Sequence, residues 1–129
     1  MRLKETIEDI RGKLSRNEYT SEASISQGIV LRLLAELGWD TWDVNVVRPE
    51  YTVKNRRVDF ALFQNPQGPF AFIEVKRPGN AEEGEEQLFQ YAFIEGVFLA
   101  ILTDGKDWSF YLPAEAGNFE QRRLYKLDV

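Results

Sequence analysis

Hydrophobic and polar positions change their period several times along the chain, and each change marks an element. Residues 3–13 intersperse charges with apolar side chains as a short polar helix does. A polar break follows from Asn17 to Ser21. From Glu22 to Leu37, Ile25, Ile29 and Leu33 recur at helical spacing, with Thr20 or Ser21 as N-cap and Gly38 just past the end. Glu22 stands three residues before Ile25 and so shares that inward stripe.

The pattern then turns β-like. Asp43 to Val47 alternates and ends at Pro49; Arg57 to Phe63 and Phe70 to Lys76 read as strands on either side of the turn Asn65-Pro66-Gln67-Gly68. Glu82 to Glu95 predicts a helix stopped by Gly96. Val97 to Leu102 is continuously apolar, the signature of a central strand buried on both faces. After the Asp104-Gly105 turn, Trp108 to Leu112 forms a strand, and Arg122 to Leu127 is the candidate for a last one. Helix, three strands, helix, then two or three strands predicts an α/β fold: a central mixed sheet with helices on both faces. The 129 residues suit one domain, with a core over about 20–112.

Composition narrows the chemistry. The chain has no His and no Cys, which excludes Ser-His-Asp and Cys-His nucleophiles and any thiolate or imidazole zinc site. A metal site must be built from oxygen, which suits Mg²⁺, Mn²⁺ or Ca²⁺. The charged N-terminus lacks the apolar core of a signal peptide, and Val97 to Leu102 is far too short to span a bilayer. A cytoplasmic protein with no membrane partner is the expectation.

The strands on either side of the turn carry the most pointed constellation. With Asn65 to Gly68 as a four-residue loop, Asp59 falls opposite Glu74, and directly paired residues share a face. Lys76, two residues on, joins that face. The other face carries Val58, Phe60, Leu62, Ala71, Ile73 and Val75 as one core surface. Two carboxylates at that distance repel unless a cation lies between them. A divalent metal would meet that need, polarise a phosphate and acidify a bound water, with Lys76 holding the water or stabilising developing charge. The same three residues could instead form an ordinary cross-strand ion pair, but the strands around them are otherwise apolar.

Glu22, Val58-Asp59, Glu74-Val75-Lys76 and Gln87-Leu88-Phe89-Gln90-Tyr91 occur in an order that resembles the PD-(D/E)xK nuclease superfamily. More narrowly, residues 22–112 resemble the N-terminal nuclease domain of type I restriction enzyme R subunits. The resemblance rests on Arg57-Val58-Asp59-Phe60, Phe72-Ile73-Glu74-Val75-Lys76 and Leu102-Thr103-Asp104-Gly105-Lys106-Asp107-Trp108. It implies a restriction-endonuclease-like fold and a metal-dependent DNA endonuclease. Asp59, Glu74 and the Val75 carbonyl would hold Mg²⁺, with Mn²⁺ as a substitute; Lys76 would orient the attacking water; Glu22 would complete the catalytic set. Gln87 and Tyr91, one helical turn apart, would contact the backbone phosphate or support the lysine. An acid in a first helical turn also favours the helix dipole, and Gln87 and Tyr91 also fit the polar edge of an amphipathic helix, so each carries two readings. Val58 stands where the superfamily's motif has Pro. Type I R subunits carry a translocase motor behind the nuclease, and 129 residues have no room for one. A standalone nuclease, a component supplied to other subunits and an excised domain are all consistent.

The net charge is −5 with a pI near 4.8, which argues against strong non-specific DNA binding. Distribution qualifies this. Lys54, Arg56 and Arg57 lead into the Asp59 strand, Lys76 and Arg77 end its partner, and Arg122, Arg123 and Lys126 cluster near the C-terminus. Glu82, Glu83, Glu85 and Glu86 fall in a helix's first turns, where the dipole favours them. Arg57 is thus a candidate substrate contact. The partners expected are DNA and either a second copy or restriction-system subunits. Two other readings stand beside the nuclease: a catalytically silent nucleic-acid-binding or subunit-docking module of the same fold, and an acidic protein binding Ca²⁺, which lacks EF-hand spacing.

Overall fold

The computed structural model describes residues 2–54, 56–80, 85–114 and 123–129. Helix α1 (Arg2–Ser15) leads into a helical stretch built of α2 (Glu22–Ile25), a π-helical turn (Ser26–Val30) and α3 (Leu31–Glu36). Strands β1 (Val47–Val53), β2 (Arg56–Leu62) and β3 (Ala71–Val75) follow, then α4 (Glu85–Glu95), β4 (Leu99–Thr103), β5 (Asp107–Tyr111) and β6 (Arg123–Asp128). The six strands lie in sequence order. All neighbours are antiparallel except β3 and β4, which run parallel because α4 carries the chain back across the sheet. This is the α/β fold with a mixed sheet expected from the sequence.

Two apolar clusters sandwich the sheet. On one face Ile10, Ile25, Ile29, Leu33 and Leu34 from the N-terminal helices pack on Phe60, Leu62, Ile73, Val75 and Ile101. On the other, Leu88 and Ala92 of α4 cover Ala61, Phe72, Ala100 and Leu102. Strand β4 therefore contributes alternate residues to both clusters, as its apolar run predicts. Burying that sheet on both faces fixes its strand alternation, and hence which side each polar residue takes.

The helix expected over Glu22–Leu37 begins as predicted. The Ser21 hydroxyl accepts the Ser24 N–H and the Ser24 hydroxyl accepts the Ser21 N–H. It is not uniform, however: at the π-helical turn the Leu31 N–H bonds back to the Ser26 carbonyl. That extra residue rotates the helix, which keeps Ile25, Ile29 and Val30 all buried.

Three boundaries differ from the sequence reading. Asp43 to Val47 is not a strand; its side-chain oxygen accepts the Asn45 N–H and its carbonyl accepts the Val46 and Val47 N–H groups, which makes a turn. Strand β1 instead starts at Val47 and runs through Pro49, which an edge strand tolerates because it needs no donor on its open side. Strand β4 starts at Leu99 rather than Val97, whose N–H still bonds the Ala92 carbonyl at the end of α4. The expected single core face of the hairpin is also wrong at one residue: Val58 packs with the α4-side cluster, not with Phe60. The alternation breaks where Glu50 takes a φ of +50°, between the pairs Pro49–Phe60 and Tyr51–Val58: Tyr51 and Val53 beyond it join Val58 on the α4 side, whereas Val47 before it lies in the other cluster. Of the predicted helix Glu82–Glu95, residues 82–84 lie outside the described residues, as does Arg122.

Candidate active site

The β2–β3 hairpin has the register predicted from its turn. Leu62 pairs with Ala71, Ala61 with Phe72 and Phe60 with Ile73, and Asn65 bridges Gly68. One step further Asp59 and Glu74 face each other, and the backbone ladder stops. Side chains take over its donors. The Val75 N–H donates to Asp59 Oδ2 at 2.7 Å, and the Asp59 N–H donates to Glu74 Oε1 at 3.3 Å. Each carboxylate is thereby held by the partner strand's backbone. Alternation along β3, where Phe72 lies in the α4-side cluster and Ile73 and Val75 in the other, places Glu74 on the α4 side of the sheet, and the Asp59 side chain bonds it there.

This proximity has an electrostatic consequence. The Glu74 carboxyl is pushed up to about 8, first by burial away from water, then by its hydrogen bond to Asp59 and repulsion from that charge; Lys76 pulls the other way. Without a cation, Glu74 thus keeps a proton near neutral pH, and that proton neutralises one of two crowded charges.

Lys76 follows directly. It is half-buried, and its N–H donates to the Thr103 carbonyl at 2.8 Å, extending the β3–β4 ladder by one bond. Val75 sits between the two acidic and basic positions with its side chain buried on the opposite face. On α4, Gln87 is exposed, while Tyr91, one turn later, packs against the cluster beneath Glu74's face. The buried Tyr111 hydroxyl bonds the Glu85 carboxylate and anchors the start of α4 to β5.

Two sequence candidates stand apart from this group. Arg57 lies on the exposed rim, 3.4 Å from Glu50 of the neighbouring strand. Glu22 is exposed in the first turn of α2. Its helix begins at the same end of the sheet as Glu74, since Ile25 packs against Gly105 just beyond β4, but it covers the opposite face. Among the described residues, no three or more Asp, Glu, His or Cys side chains gather as metal ligands, so the structure does not bring Glu22 together with Asp59 and Glu74.

The sequence reading placed Asp104 in a turn and in a segment that resembles the family, without a role of its own. It is 4% exposed, and its two oxygens do different work. Oδ1 accepts the Lys106 and Asp107 N–H groups at 3.0 and 2.8 Å, which shapes the turn; Oδ2 accepts the Gly79 N–H at 2.9 Å. An Asp-Gly pair signals the turn, but no local signal reveals a bond across 25 residues.

The donor set can be tested against a divalent ion. It is all oxygen, carboxylate and main-chain carbonyl, without nitrogen or sulfur, which suits Mg²⁺ or Mn²⁺. The raised Glu74 carboxyl marks a place where positive charge is favoured. Two carboxylates leave most of an octahedral shell to water and substrate, as is usual for Mg²⁺. The residues fit.

Comparison with known proteins bears on the family and the fold. The model of the type I restriction enzyme R protein N terminus matches residues 44–119, more than half of the chain. No curated protein sequence matches it significantly. A fragment described as an HsdR subunit of a type I restriction enzyme from Vibrio vulnificus YJ016 superposes with a TM-score of 0.58 at 24% identity. That match covers 71% of this chain and 21% of the other. The type IIG restriction endonuclease BpuSI gives 0.52 at 19% identity, over 79% of this chain and 15% of its own. The chain thus spans about a fifth or less of these relatives' length, and at such identities the likeness is one of fold, the restriction-endonuclease-like α/β fold. By the family match, the chain belongs to the N-terminal family of type I restriction enzyme R proteins.

Proposed function

We propose that this domain is a metal-dependent endonuclease that hydrolyses DNA phosphodiester bonds, with the PD-(D/E)xK site at Asp59, Glu74 and Lys76. The observation that carries the reading is the opened end of the hairpin, where backbone N–H groups hold two opposed carboxylates beside a lysine. A bound Mg²⁺, or Mn²⁺ in its place, would supply phosphate polarisation and an acidified water. Asp59 and Glu74 would hold it, with the Val75 carbonyl as a further oxygen. Lys76 orients the attacking water and steadies negative charge on the phosphoryl oxygens. The water oxygen bonds to phosphorus as the bond to one ester oxygen breaks; the water gives up a proton and the leaving oxygen takes one up. Gln87 and Tyr91 project from α4 over the same sheet face and would touch the backbone phosphates, and Arg57 would extend that contact along the rim. Glu22 would reach the site only through water or a shift of α2.

Binding to DNA should be weak and sensitive to salt in a chain of net charge −5. Other restriction-system subunits, or a second copy, would raise it by adding contacts. The test is cleavage of supercoiled plasmid and single-stranded DNA in Mg²⁺, Mn²⁺ or EDTA, beside a Glu74→Ala/Lys76→Ala control. Metal-dependent nicking lost in the double variant is the expected result. Folded protein that binds DNA but cuts it with neither metal would overturn the nuclease and leave a binding or docking module.

A further inference from the structure

We infer that Asp104 is a positioning residue for the nuclease site, acting through the segment that carries Lys76; this rests on the function proposed above. A turn at Asp104-Gly105 needs one side-chain oxygen, and Oδ1 supplies it to both the Lys106 and Asp107 N–H groups. An Asn would serve that role equally. A buried carboxylate is costly unless each oxygen is satisfied, so its presence asks what the second oxygen does. Oδ2 leaves the turn altogether and takes the Gly79 N–H, three residues past Lys76.

The bonds that hold this segment can be followed residue by residue. Beyond Val75 the chain leaves the sheet, with the Lys76 N–H on the Thr103 carbonyl as its last ladder bond. It then turns back through the Asn80 N–H on the Arg77 carbonyl, with Gly79 at a φ of +84°. Thr103 and Asp104, consecutive residues, thus clamp this segment at Lys76 and at Gly79. The turn that bears them is itself seated: Gly105 lies so close to Ile25 and Ile29 that a Cβ there would come within 2.9 Å of Ile29. Contacts thus run without a break from the N-terminal helices through Asp104 to the segment that carries the lysine.

Asp104→Asn separates the two roles. Its amide oxygen still serves the turn, while its NH₂ opposes the Gly79 N–H, donor against donor. The control is Trp108→Phe, which removes another hydrogen bond of the same turn, from the indole N–H to the Gly105 carbonyl, and leaves the Gly79 bond alone. In Asp104→Asn, amide exchange at Lys76 and Gly79 should quicken by at least about tenfold, the weight of one bond to a charged acceptor. Plasmid cleavage should lose at least about tenfold in kcat with KM unchanged, while Trp108→Phe keeps the parent's kcat per folded molecule. Three results would overturn the inference alone: a Gly79 amide that already exchanges freely in the parent, an Asp104→Asn protein that cleaves like the parent, or equal kcat losses in both variants. A folded parent that cleaves nothing with either metal sinks the nuclease reading itself, whatever the exchange rates show.

Discussion

The two ends of the β2–β3 hairpin are built from the same strands in the same register, yet they do opposite things. At the turn end, Phe60–Ile73, Ala61–Phe72 and Leu62–Ala71 complete the backbone ladder, and all six residues are buried. At the open end the backbone donors of Asp59 and Val75 are accepted by carboxylates instead. The first arrangement lowers the free energy of folding by burying apolar surface. The second crowds two carboxyl groups together, and the cost appears as a Glu74 carboxyl raised to about 8. Backbone donors are among the most rigid groups in a protein, so carboxyl groups tied to them stay close although ionising both is unfavourable. A site of this kind can be both unfavourable and well ordered because the ladder beside it supplies the stability.

The comparison breaks most sharply through its two strongest variants. Phe72→Ala empties a fully buried position at the closed end and should cost about 3–5 kcal/mol, read as a lower denaturant midpoint with unchanged slope. Lys76→Ala at the open end should lower cleavage by roughly 10²–10⁴-fold, the usual weight of a group acting on a proton or developing charge. Its thermal midpoint should stay near the parent's. A Lys76→Ala protein that loses stability as heavily as Phe72→Ala would show that the two ends are not separate in function.

This division was partly legible in the sequence. The turn residues Asn65 to Gly68 set the register, the register set Asp59 against Glu74, and β4 announced its burial by its unbroken apolar run. These are local signals, read within one hairpin or one strand. What escaped depended on contacts between distant elements. Glu22 fits a helix's inward stripe, but only packing decides which face of the sheet that helix covers. Val58 alternates correctly with Phe60, but it lies in the other cluster, at the step where Glu50 on the neighbouring strand takes a positive φ. Asp104 looks like any turn aspartate until Gly79 is found on its second oxygen.

A milder prediction sharpens the electrostatic side of the comparison. Folded Glu74 holds its proton to about pH 8, whereas the unfolded chain releases it near 4.5. Between those values the unfolded state binds fewer protons, so the metal-free protein should lose stability as pH rises through that window. Glu74→Gln removes the ionisation but keeps a donor for Asp59. In EDTA its thermal midpoint should match the parent's at pH 5 and exceed it by a few degrees at pH 8, for about 1 kcal/mol or more. Adding Mg²⁺ at pH 8 should raise the parent's midpoint and not the variant's. Parent and Glu74→Gln curves that run parallel from pH 5 to 8 would mean that the pair is relaxed in solution.

The smallest effect lies at the outer margin of the open end. Arg57 and Glu50 are 65% and 72% exposed and 3.4 Å apart, so the pair competes with water on both sides. Arg57→Ala should therefore change stability by no more than about 0.5 kcal/mol. Its informative readout is DNA binding. A cation that meets a phosphate releases one condensed counterion, and losing it should flatten the slope of log K against log salt by about one. Glu50→Gln frees the same guanidinium from its carboxylate and should shift binding the other way, towards tighter DNA at low salt. If neither substitution moves the salt slope, Arg57 belongs with the ordinary solvated rim, and the substrate path must run over α4 past Gln87 and Tyr91 alone.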